Sequence, residues 1–344
     1  MKDVVMFGEI LLRLKTPGHE RFFQSNKLEA TFGGSEANVA AALSMFGQNT
    51  TFVTVVPDNA VGDAVVSELK KYNVNTRFIE RKAGRLGIYF METGAGQRPS
   101  DIIYDRKNSC IALATQSDFN WPMIFKNSDW FHISGITPAI SKNACDVTIA
   151  ALKEARKAGL TVSMDINYRR KLWTYGEKAS DVFKEMMNYV DVLIANEEHI
   201  RLCLDITVPG IDTSKEGLPD DYFQKLSENV KKVYPGVSSV VLTRRRSYTT
   251  DINDFSAVLY DDSGSFFVSR KYHMENIVDR VGGGDAFSAG LIYGLLNYTD
   301  KKDALEYATA TACLKHTIPG DIAILRRAEV EELVKTGGSG RVQR

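Results

Sequence analysis

The sequence predicts an α/β fold in which a doubly wound, mostly parallel sheet carries helices on both faces. Short apolar runs of strand length alternate with longer segments that have the apolar spacing of helices. This alternation is typical of parallel sheets that are covered on both sides. The chain has 344 residues, of which 44% are hydrophobic, so it can bury a large core. No repeat or linker interrupts it, and we expect one domain at 1–336 followed by a flexible, glycine-rich tail at 337–344.

The predicted elements follow one another in strand and helix order. The strands are Val4–Phe7, Thr51–Val56, Trp130–Ile133, Leu160–Met164, Val190–Ala195 and Val240–Leu242. The helices include Glu36–Phe46, Gly62–Tyr72, Lys142–Ala158, Tyr222–Tyr234, Asp285–Asn297 and Lys302–Lys315. Ligands of such sheets bind at the carboxyl ends of the strands. Polar residues that directly follow a strand are therefore candidate site residues.

Two segments, at about 11–30 and 85–110, break the alternation and predict a small second sheet. Within the second segment, Ile88–Glu92 and Ile102–Arg106 are expected to form a hairpin. Period-two alternation puts Tyr89 with Met91 on one face, and Ile102 with Tyr104 and Arg106 on one face. A sheet of this size cannot bury both faces by itself, so one face should cover a ligand or a second subunit.

The composition excludes several classes of function. Lys+Arg and Asp+Glu are balanced at 43 each, which argues against nucleic acid or an anionic membrane as a partner. No apolar run approaches the ~20 residues of a membrane span. The first residues lead directly into a strand without the pattern of a signal peptide. The four cysteines and five histidines are scattered, so we expect no disulfide, no zinc site and a cytoplasmic protein.

A glycine motif near the C-terminus, DRVGGGDAFSAG at 279–290, has the chemistry of an anion-binding turn. Gly282, Gly283 and Gly284 leave backbone N–H groups free to face an anion, and the following helix adds the positive end of its dipole. Asp285 could there accept a proton from a hydroxyl group that attacks a phosphoryl group. Taken alone, an ordinary turn with an acidic residue in the first helical turn explains the motif equally well.

A second glycine motif, FGGSEANVAAAL at 32–43, also opens an apolar helix. Together the two motifs resemble the signatures of the ribokinase-like carbohydrate kinases, and the resemblance covers nearly the whole chain. It implies ATP and Mg²⁺ as cofactors, Asp285 as catalytic base and Gly282–Gly284 as the turn that holds the transferring phosphate. It implies that the early turn holds the sugar through Gly33, Gly34, Ser35 and Asn38. Arg280, Val281 and Gly283 depart from the usual late motif, DTxGAGD.

The resemblance also gives the small sheet a function. In this family it is a lid over the sugar, and it often pairs between two subunits. We therefore expect a homo-oligomer, a dimer or larger, that forms through the lid.

A third motif, DINYRRKLW at 165–173, follows a predicted strand. A polar surface turn is the ordinary explanation of such a segment. The segment is also similar to one in the 2-keto-3-deoxygluconate kinases. That similarity implies that Arg169 reaches an acid sugar and that Asp165 and Asn167 lie close to the phosphates.

Three further positions are candidates for nucleotide or metal binding. In Asn196-Glu197-Glu198-His199, an N-cap followed by first-turn acids would account for the residues. The family resemblance implies instead that Asn196 lies at the nucleotide and that Glu198 helps to hold magnesium through water. By the same resemblance Thr243 and Arg245 contact ATP, although the usual glycines are missing there, and His316 lines the adenine pocket. A surface charge run and a helix-end histidine are the alternatives.

Residue types around the predicted lid favour an anionic sugar. Fructokinases of the family carry an Asp where this chain has Arg13. Tyr89, Tyr104, Arg106 and Arg169 are expected where lid and cleft meet, and a buried carboxylate needs such cationic or N–H partners. We therefore expect phosphorylation of 2-keto-3-deoxy-D-gluconate at its 6-hydroxyl. The alternatives are a fructokinase or another sugar kinase of this fold, and a catalytically silent sugar-binding regulator. The glycines and Asp285 argue against the regulator, because a sensor needs no base.

Overall fold

The computed structural model describes residues 2–211 and 217–338, so most of the predicted flexible tail, from residue 339, lies outside the described residues. The strands are β1 (Asp3–Phe7), β2 (Leu11–Lys15), β3 (Glu29–Gly33), β4 (Asn49–Pro57), β5 (Ile79–Lys82), β6 (Ile88–Glu92), β7 (Asp101–Asp105), β8 (Trp130–Ser134), β9 (Thr161–Asp165), β10 (Val192–Ala195), β11 (Ser239–Ser247), β12 (Asn253–Asp261), β13 (Phe266–Val268) and β14 (Tyr272–Met274). The helices are α1 (Ser35–Met45), α2 (Ala60–Lys71), α3 (Trp121–Ile124), α4 (Lys142–Lys157), α5 (Ala179–Met186), α6 (Glu197–Leu204), α7 (Asp220–Val233), α8 (Gly283–Asn297), α9 (Lys301–Lys315) and α10 (Arg327–Thr336).

Most of the strands form one large sheet with the order β13-β12-β11-β10-β9-β8-β1-β4-β5, and β14 also pairs with β12. The pairings from β5 to β11 are all parallel, whereas β12 pairs antiparallel with its three neighbours. All six strands that were predicted from the apolar runs lie in this sheet, whereas the predicted hairpin strands do not. The predicted doubly wound, mostly parallel fold is confirmed.

The hydrophobic core lies on both faces of this sheet. Successive residues of a strand point to opposite faces. Accordingly, Val4 and Met6 of β1 belong to one buried cluster, and Val5 and Phe7 belong to another. Helices α1, α8 and α9 pack in the first cluster, and α4, α5 and α7 pack in the second. Two covered faces explain why the central strands are almost continuously apolar.

Helices α8 and α9 approach each other closely because α8 carries glycine where they touch. A Cβ atom on Gly290 would lie 2.8 Å from Ala308 Cα, and one on Gly294 would lie 2.6 Å from Ala304 Cα. Both distances are shorter than a Cβ atom tolerates, so the small residues permit this contact. The N-terminus of α8 is thereby held at the carboxyl end of the large sheet.

The small sheet predicted from the sequence is present and has the order β3-β2-β6-β7, which we call the lid sheet. Strands β2 and β6 run parallel, and the two outer pairings are antiparallel. Arg13, Tyr89 and Tyr104 are register partners across its centre and therefore share one face. Within residues 2–211 and 217–338 no helix is long and apolar enough to cross a membrane.

Candidate active site

A cavity of about 670 Å³ lies between the lid sheet, the carboxyl ends of β9, β10 and β11, and the N-terminus of α8. It brings together most of the site residues predicted from separate parts of the sequence. Those that line it are Gly34, Ser35, Asn38, Tyr89, Tyr104, Arg106, Asp165, Asn167, Arg169, Asn196, Glu198, Thr243, Arg245, Gly282, Gly283, Gly284 and Asp285.

Asp285 lies in the first turn of α8, and its carboxylate is held by two side chains from the start of α1. Ser35 Oγ donates to Asp285 Oδ1 over 2.7 Å, and Asn38 Nδ2 donates to Oδ2 over 2.7 Å. Burial raises the pKa of Asp285 above its usual range, and the two donors oppose that rise because they stabilise the ionised form. Ser35 and Asn38 were predicted to hold the sugar, and in the structure both orient the predicted base.

Asp165, at the end of β9, is the second buried carboxyl group of the cavity. Burial, followed by the charge of Asp285, raises the pKa of Asp165 to about 7. Its Oδ1 accepts from the backbone N–H of Asn167, whereas Asp285 accepts from two side-chain donors. The two side-chain donors stabilise the ionised form of Asp285 more than one backbone N–H stabilises that of Asp165, so we expect Asp285 to lose its proton first.

The three glycines that directly precede Asp285 have different structural roles. Gly282 has a φ of +79°, and a Cβ atom on it would lie 1.9 Å from the backbone oxygen of Asp321. A Cβ atom on Gly283 would lie 2.5 Å from the ring of His316. Gly284 is open, since the nearest atom to its Cβ position is Asp165 Oδ2 at 3.9 Å. Gly282 and Gly283 are therefore required for packing, and Gly284 keeps the cavity clear beside the two carboxyl groups.

Two predicted site residues do not line the cavity. Gly33 lies behind the early turn, where its Cβ position is 2.1 Å from the carboxylate of Asp321. His316 is buried behind the late turn, and its Nδ1 lies 2.6 Å from the carbonyl oxygen of Ala312. Its Nε2 is 3.4 Å from Arg245 Nη2, so His316 contacts the cavity through Arg245 and Gly283. Both residues support the turns on which the lining residues lie.

Of the four arginines that line the cavity, one forms an ion pair with a carboxylate and three do not. Arg106 lines the cavity, but its Nε donates to Glu9 Oε2 over 2.5 Å, and that carboxylate neutralises its charge. Arg169, Arg245 and Arg280 also line the cavity, and none of them forms an ion pair with a carboxylate in the described part of the chain. Desolvation and the charges of Arg280 and Arg169 lower the pKa of Arg245 to about 10. The cavity therefore contains three guanidinium groups without a carboxylate partner, and anionic groups of a ligand could bind them.

Arg13 is not one of these unpaired guanidinium groups. It is 1% exposed and does not line the cavity, because its guanidinium group is bound to Asp279 and Asp321. Arg13 is therefore not available to bind an anionic sugar, whereas Arg169 is.

The segment after β10 has the geometry of a capped helix. Asn196 Oδ1 accepts from the backbone N–H of His199 over 2.7 Å, so this side chain caps α6. Glu197 and Glu198 occupy the first turn and line the cavity. His199 lines it as well, and burial together with the charge of Arg169 lowers its pKa to about 4, which keeps the imidazole neutral. Thr243 Oγ1 donates to the carbonyl of Ala195 over 3.3 Å, which joins β11 to β10 at the rim.

Arg280, Glu36 and Glu9 are among the lining residues that were not predicted from the sequence. Arg280 was noted only as a departure from the family motif, and a cation within an anion-binding turn is itself a signal for a phosphate or carboxylate. Glu36 accepts from Ser134 N and Thr137 Oγ1, and burial raises its pKa to about 8. Glu9 accepts from Arg106 and Ser109. No local pattern indicates the last two, since their partners are about 100 residues away in the sequence.

The model of the pfkB family carbohydrate kinases matches residues 1–242 and 254–327. The chain belongs to this family. The family match confirms the resemblance seen in the two glycine motifs, and the protein is a sugar kinase. Its late motif departs from the usual form only at positions that leave Gly282, Gly284 and Asp285 in place.

Individual relatives support the same assignment over the full length. The 2-dehydro-3-deoxygalactonokinase of Haloferax volcanii is 31% identical over 338 residues, and the match covers 98% of both chains. The 2-dehydro-3-deoxygluconokinase of Bacillus subtilis is 24% identical, with 93% of this chain and 91% of the relative covered. The crystal structure of 2-dehydro-3-deoxygluconokinase from Thermotoga maritima has 45% identity and a TM-score of 0.91, and covers 97% of this chain and 100% of that one.

Proposed function

We propose that this pfkB-family kinase transfers the γ-phosphoryl group of ATP to the 6-hydroxyl of 2-keto-3-deoxy-D-gluconate. The products are 2-keto-3-deoxy-6-phosphogluconate and ADP. The observation that carries the proposal is that one cavity holds both the buried carboxylate of Asp285 and the unpaired guanidinium group of Arg169. The first suits a proton acceptor, and the second suits the carboxylate of an acid sugar.

In the proposed reaction, Asp285 accepts the proton of the 6-hydroxyl as the oxygen attacks the γ-phosphorus. The bond from the γ-phosphorus to the bridging oxygen breaks, and ADP leaves with the electron pair. The backbone N–H groups of Gly283 and Gly284, at the N-terminus of α8, stabilise the negative charge of the transferring group. Ser35 and Asn38 keep the carboxylate of Asp285 ionised and correctly oriented.

The positive charges of the cavity divide naturally between the two substrates. Arg169 is close enough to Asp285 and Asp165 for its charge to lower the pKa of both, so it belongs to the reacting end of the cavity. Arg280 Nη2 donates to Ser247 Oγ at the end of β11, and Arg245 lies on the same strand. We assign Arg245 and Arg280 to the phosphates of ATP. Tyr104 and Tyr89, on the inner face of the lid sheet, cover the sugar.

A magnesium ion fits this region as a partner of the phosphates rather than as a protein-held ion. The described residues contain no group of three His, Cys, Asp or Glu side chains that could enclose a metal. Glu198 and Glu197 present carboxylates at the rim, and Asn196 caps the helix that carries them. Magnesium keeps several waters, so such carboxylates can hold it indirectly. When bound, it neutralises charge on the phosphate oxygens.

The test is the rate of ADP release with a panel of sugars on one preparation of the enzyme. We expect kcat/KM for 2-keto-3-deoxygluconate to exceed that for fructose and ribose, because a neutral sugar leaves Arg169 unpaired. Equal or faster turnover of fructose would reject the acid-sugar assignment and leave a fructokinase or a general ketose kinase of this family.

The second candidate substrate is the C4 epimer, 2-keto-3-deoxygalactonate. The similarity to the Haloferax volcanii enzyme favours including it, since that relative is named for this sugar. The two epimers differ at one hydroxyl group, so the same panel should contain both. The ratio of their kcat/KM values decides which one the cavity prefers.

The lid sheet also supports the proposal of an oligomer. Its outer face carries Leu14, Phe90 and Ile103 in register, and Ile103 is 51% exposed. A sheet face of this kind suits a second copy of the same sheet. We expect the parent to sediment as a dimer or larger, and the double variant F90S/I103S to sediment as a monomer. A monomeric parent would contradict the proposal.

A further inference from the structure

Arg13, on the lid strand β2, forms an unusual buried connection. Its Nη2 lies 2.6 Å from Asp279 Oδ2, and its Nη1 lies 2.5 Å from Asp321 Oδ1. The two carboxylates come from positions 266 and 308 residues farther along the chain. The planar fork of an arginine can hold two such groups at once, whereas a lysine presents one point of charge. Strand β2 of the lid sheet is thus bound to two loops beside the large sheet.

Both aspartates also contact the turn that precedes α8, Asp279 through its carboxylate and Asp321 through its backbone. Asp279 Oδ1 accepts from the backbone N–H of Val281, and its Oδ2 accepts from Gly320 N–H. The backbone oxygen of Asp321 lies where a Cβ atom of Gly282 would be, at 1.9 Å. Moving either aspartate therefore moves the backbone of the glycine turn that we assign to the transferring phosphate.

A second lid strand reaches the same group. Tyr89 of β6 donates its hydroxyl hydrogen to Asp321 Oδ2 over 2.6 Å. The buried ammonium group of Lys315 donates to the backbone carbonyls of Asp279 and Ile318. Two cations and two carboxylates thus balance one another in a site with almost no exposure to solvent.

Such a cluster adds little net stability, because the cost of desolvating the charges offsets their attraction. It does, however, fix geometry, since moving one member leaves another buried and unpaired. The cluster joins the two parts of the molecule that must come together in the reaction. One is the lid that covers the sugar, and the other is the turn beside the phosphate.

We propose that Arg13 is a positioning residue that holds the glycine turn in register with the closed lid. It touches neither substrate. It acts through Asp279 and Asp321 on the backbone from Val281 to Gly284. The proposal rests on the assignment of this turn to the transferring phosphate, but it does not depend on which sugar is phosphorylated.

The test compares R13K with R85K, the same substitution at a half-buried arginine just before β6 that pairs with Asp105 of β7. Kinetics are measured with whichever sugar the parent uses best, so that an error in the substrate assignment leaves the test intact. Displacing a reacting group by about 1 Å can cost on the order of a hundredfold in rate. We expect R13K to lower kcat by about 10- to 100-fold, with the Kd for ADP unchanged, and R85K to leave kcat unchanged.

A merely structural role would predict a different result. It would lower Tm and the yield of folded R13K, while each folded molecule kept the kcat of the parent. A kcat for folded R13K within about twofold of the parent would therefore overturn the proposal. If R13K does not fold, D279N serves instead, because Asp279 does not line the cavity and the substitution keeps the shape while it removes one charge of the cluster. The same thresholds in kcat and Kd then apply.

Discussion

Asn38 donates a hydrogen bond to Asp285 over 2.7 Å, and this bond joins the starts of two helices that are 247 residues apart in the sequence. Ser35 completes the arrangement at the other carboxylate oxygen. The early glycine motif therefore does more than border the sugar. It supplies the donors that keep the predicted catalytic base ionised in a buried position.

Removing one of these donors should move the pH dependence of catalysis. In N38A the ionised form of Asp285 loses a hydrogen bond, so its pKa rises and the base stays protonated to higher pH. A hydrogen bond to a charged group contributes about 1.5–3 kcal/mol, which corresponds to an upward shift of about one to two pH units. The acid limb of the kcat profile measures the shift. N49A, which removes a surface amide that donates to Asp3, should leave the profile in place.

The variant D285N tests the base itself. It keeps the shape of the side chain and removes the proton acceptor. General-base catalysis contributes about 10²- to 10⁴-fold, and we expect kcat to fall by that order. Calorimetric Kd values for sugar and ADP should stay close to those of the parent. Turnover near the parent rate would remove Asp285 from the mechanism.

Substitutions at two glycines of the turn should reduce activity for different reasons. G284V places its side chain in open space beside Asp165 Oδ2, so we expect a folded protein with the Tm of the parent and almost no activity. G282A meets the backbone oxygen of Asp321 and has a φ of +79°, so it should lower Tm as well. Thermal unfolding and kcat, measured on both variants, separate the two effects. An active G284V would show that the turn does not border the transferring phosphate.

Substitutions at two of the three unpaired arginines should affect different substrates. R169A should raise the Kd of the acid sugar and R280Q that of ATP, each by about one to two decades, because a charge-assisted bond contributes about 1.5–3 kcal/mol. R244Q is the control, since Arg244 pairs with Asp220 and does not line the cavity. If R169A weakened ATP binding and left the sugar unaffected, the division of charges between the substrates would be reversed.

The fold was predictable to the extent that its elements are apolar and locally patterned. Strands β1, β4 and β8 to β11 are buried runs, and the sequence predicts each of them. The edge strand β5 was missed because Ile79–Lys82 is IERK, a half-buried segment with one apolar residue. The antiparallel strand β12 was not predicted as a strand, and β13 and β14 are only three residues long.

The site was predictable in its residue types and less so in its pairings. The glycine turns and Asp285 follow from local motifs, because backbone N–H groups need only a turn and a helix start. Which arginines are free does not follow from local sequence. Arg106 is neutralised by Glu9, which is 97 residues away, and Arg13 is bound by aspartates still farther off. Only the three-dimensional structure distinguishes these two from Arg169.

The glycines that bring α8 against α9 determine which part of the enzyme is stationary. With the helix backbones in contact at Gly290 and Gly294, α8 has no room to slide or rotate, and Asp285 is fixed at its first turn. Any opening of the cavity must then come from the lid sheet, and it would have to break the buried bonds that join Arg13 and Tyr89 to Asp321. The helix pair is therefore the rigid part of the site, and the lid sheet is the only part left that could change its distance from Asp285.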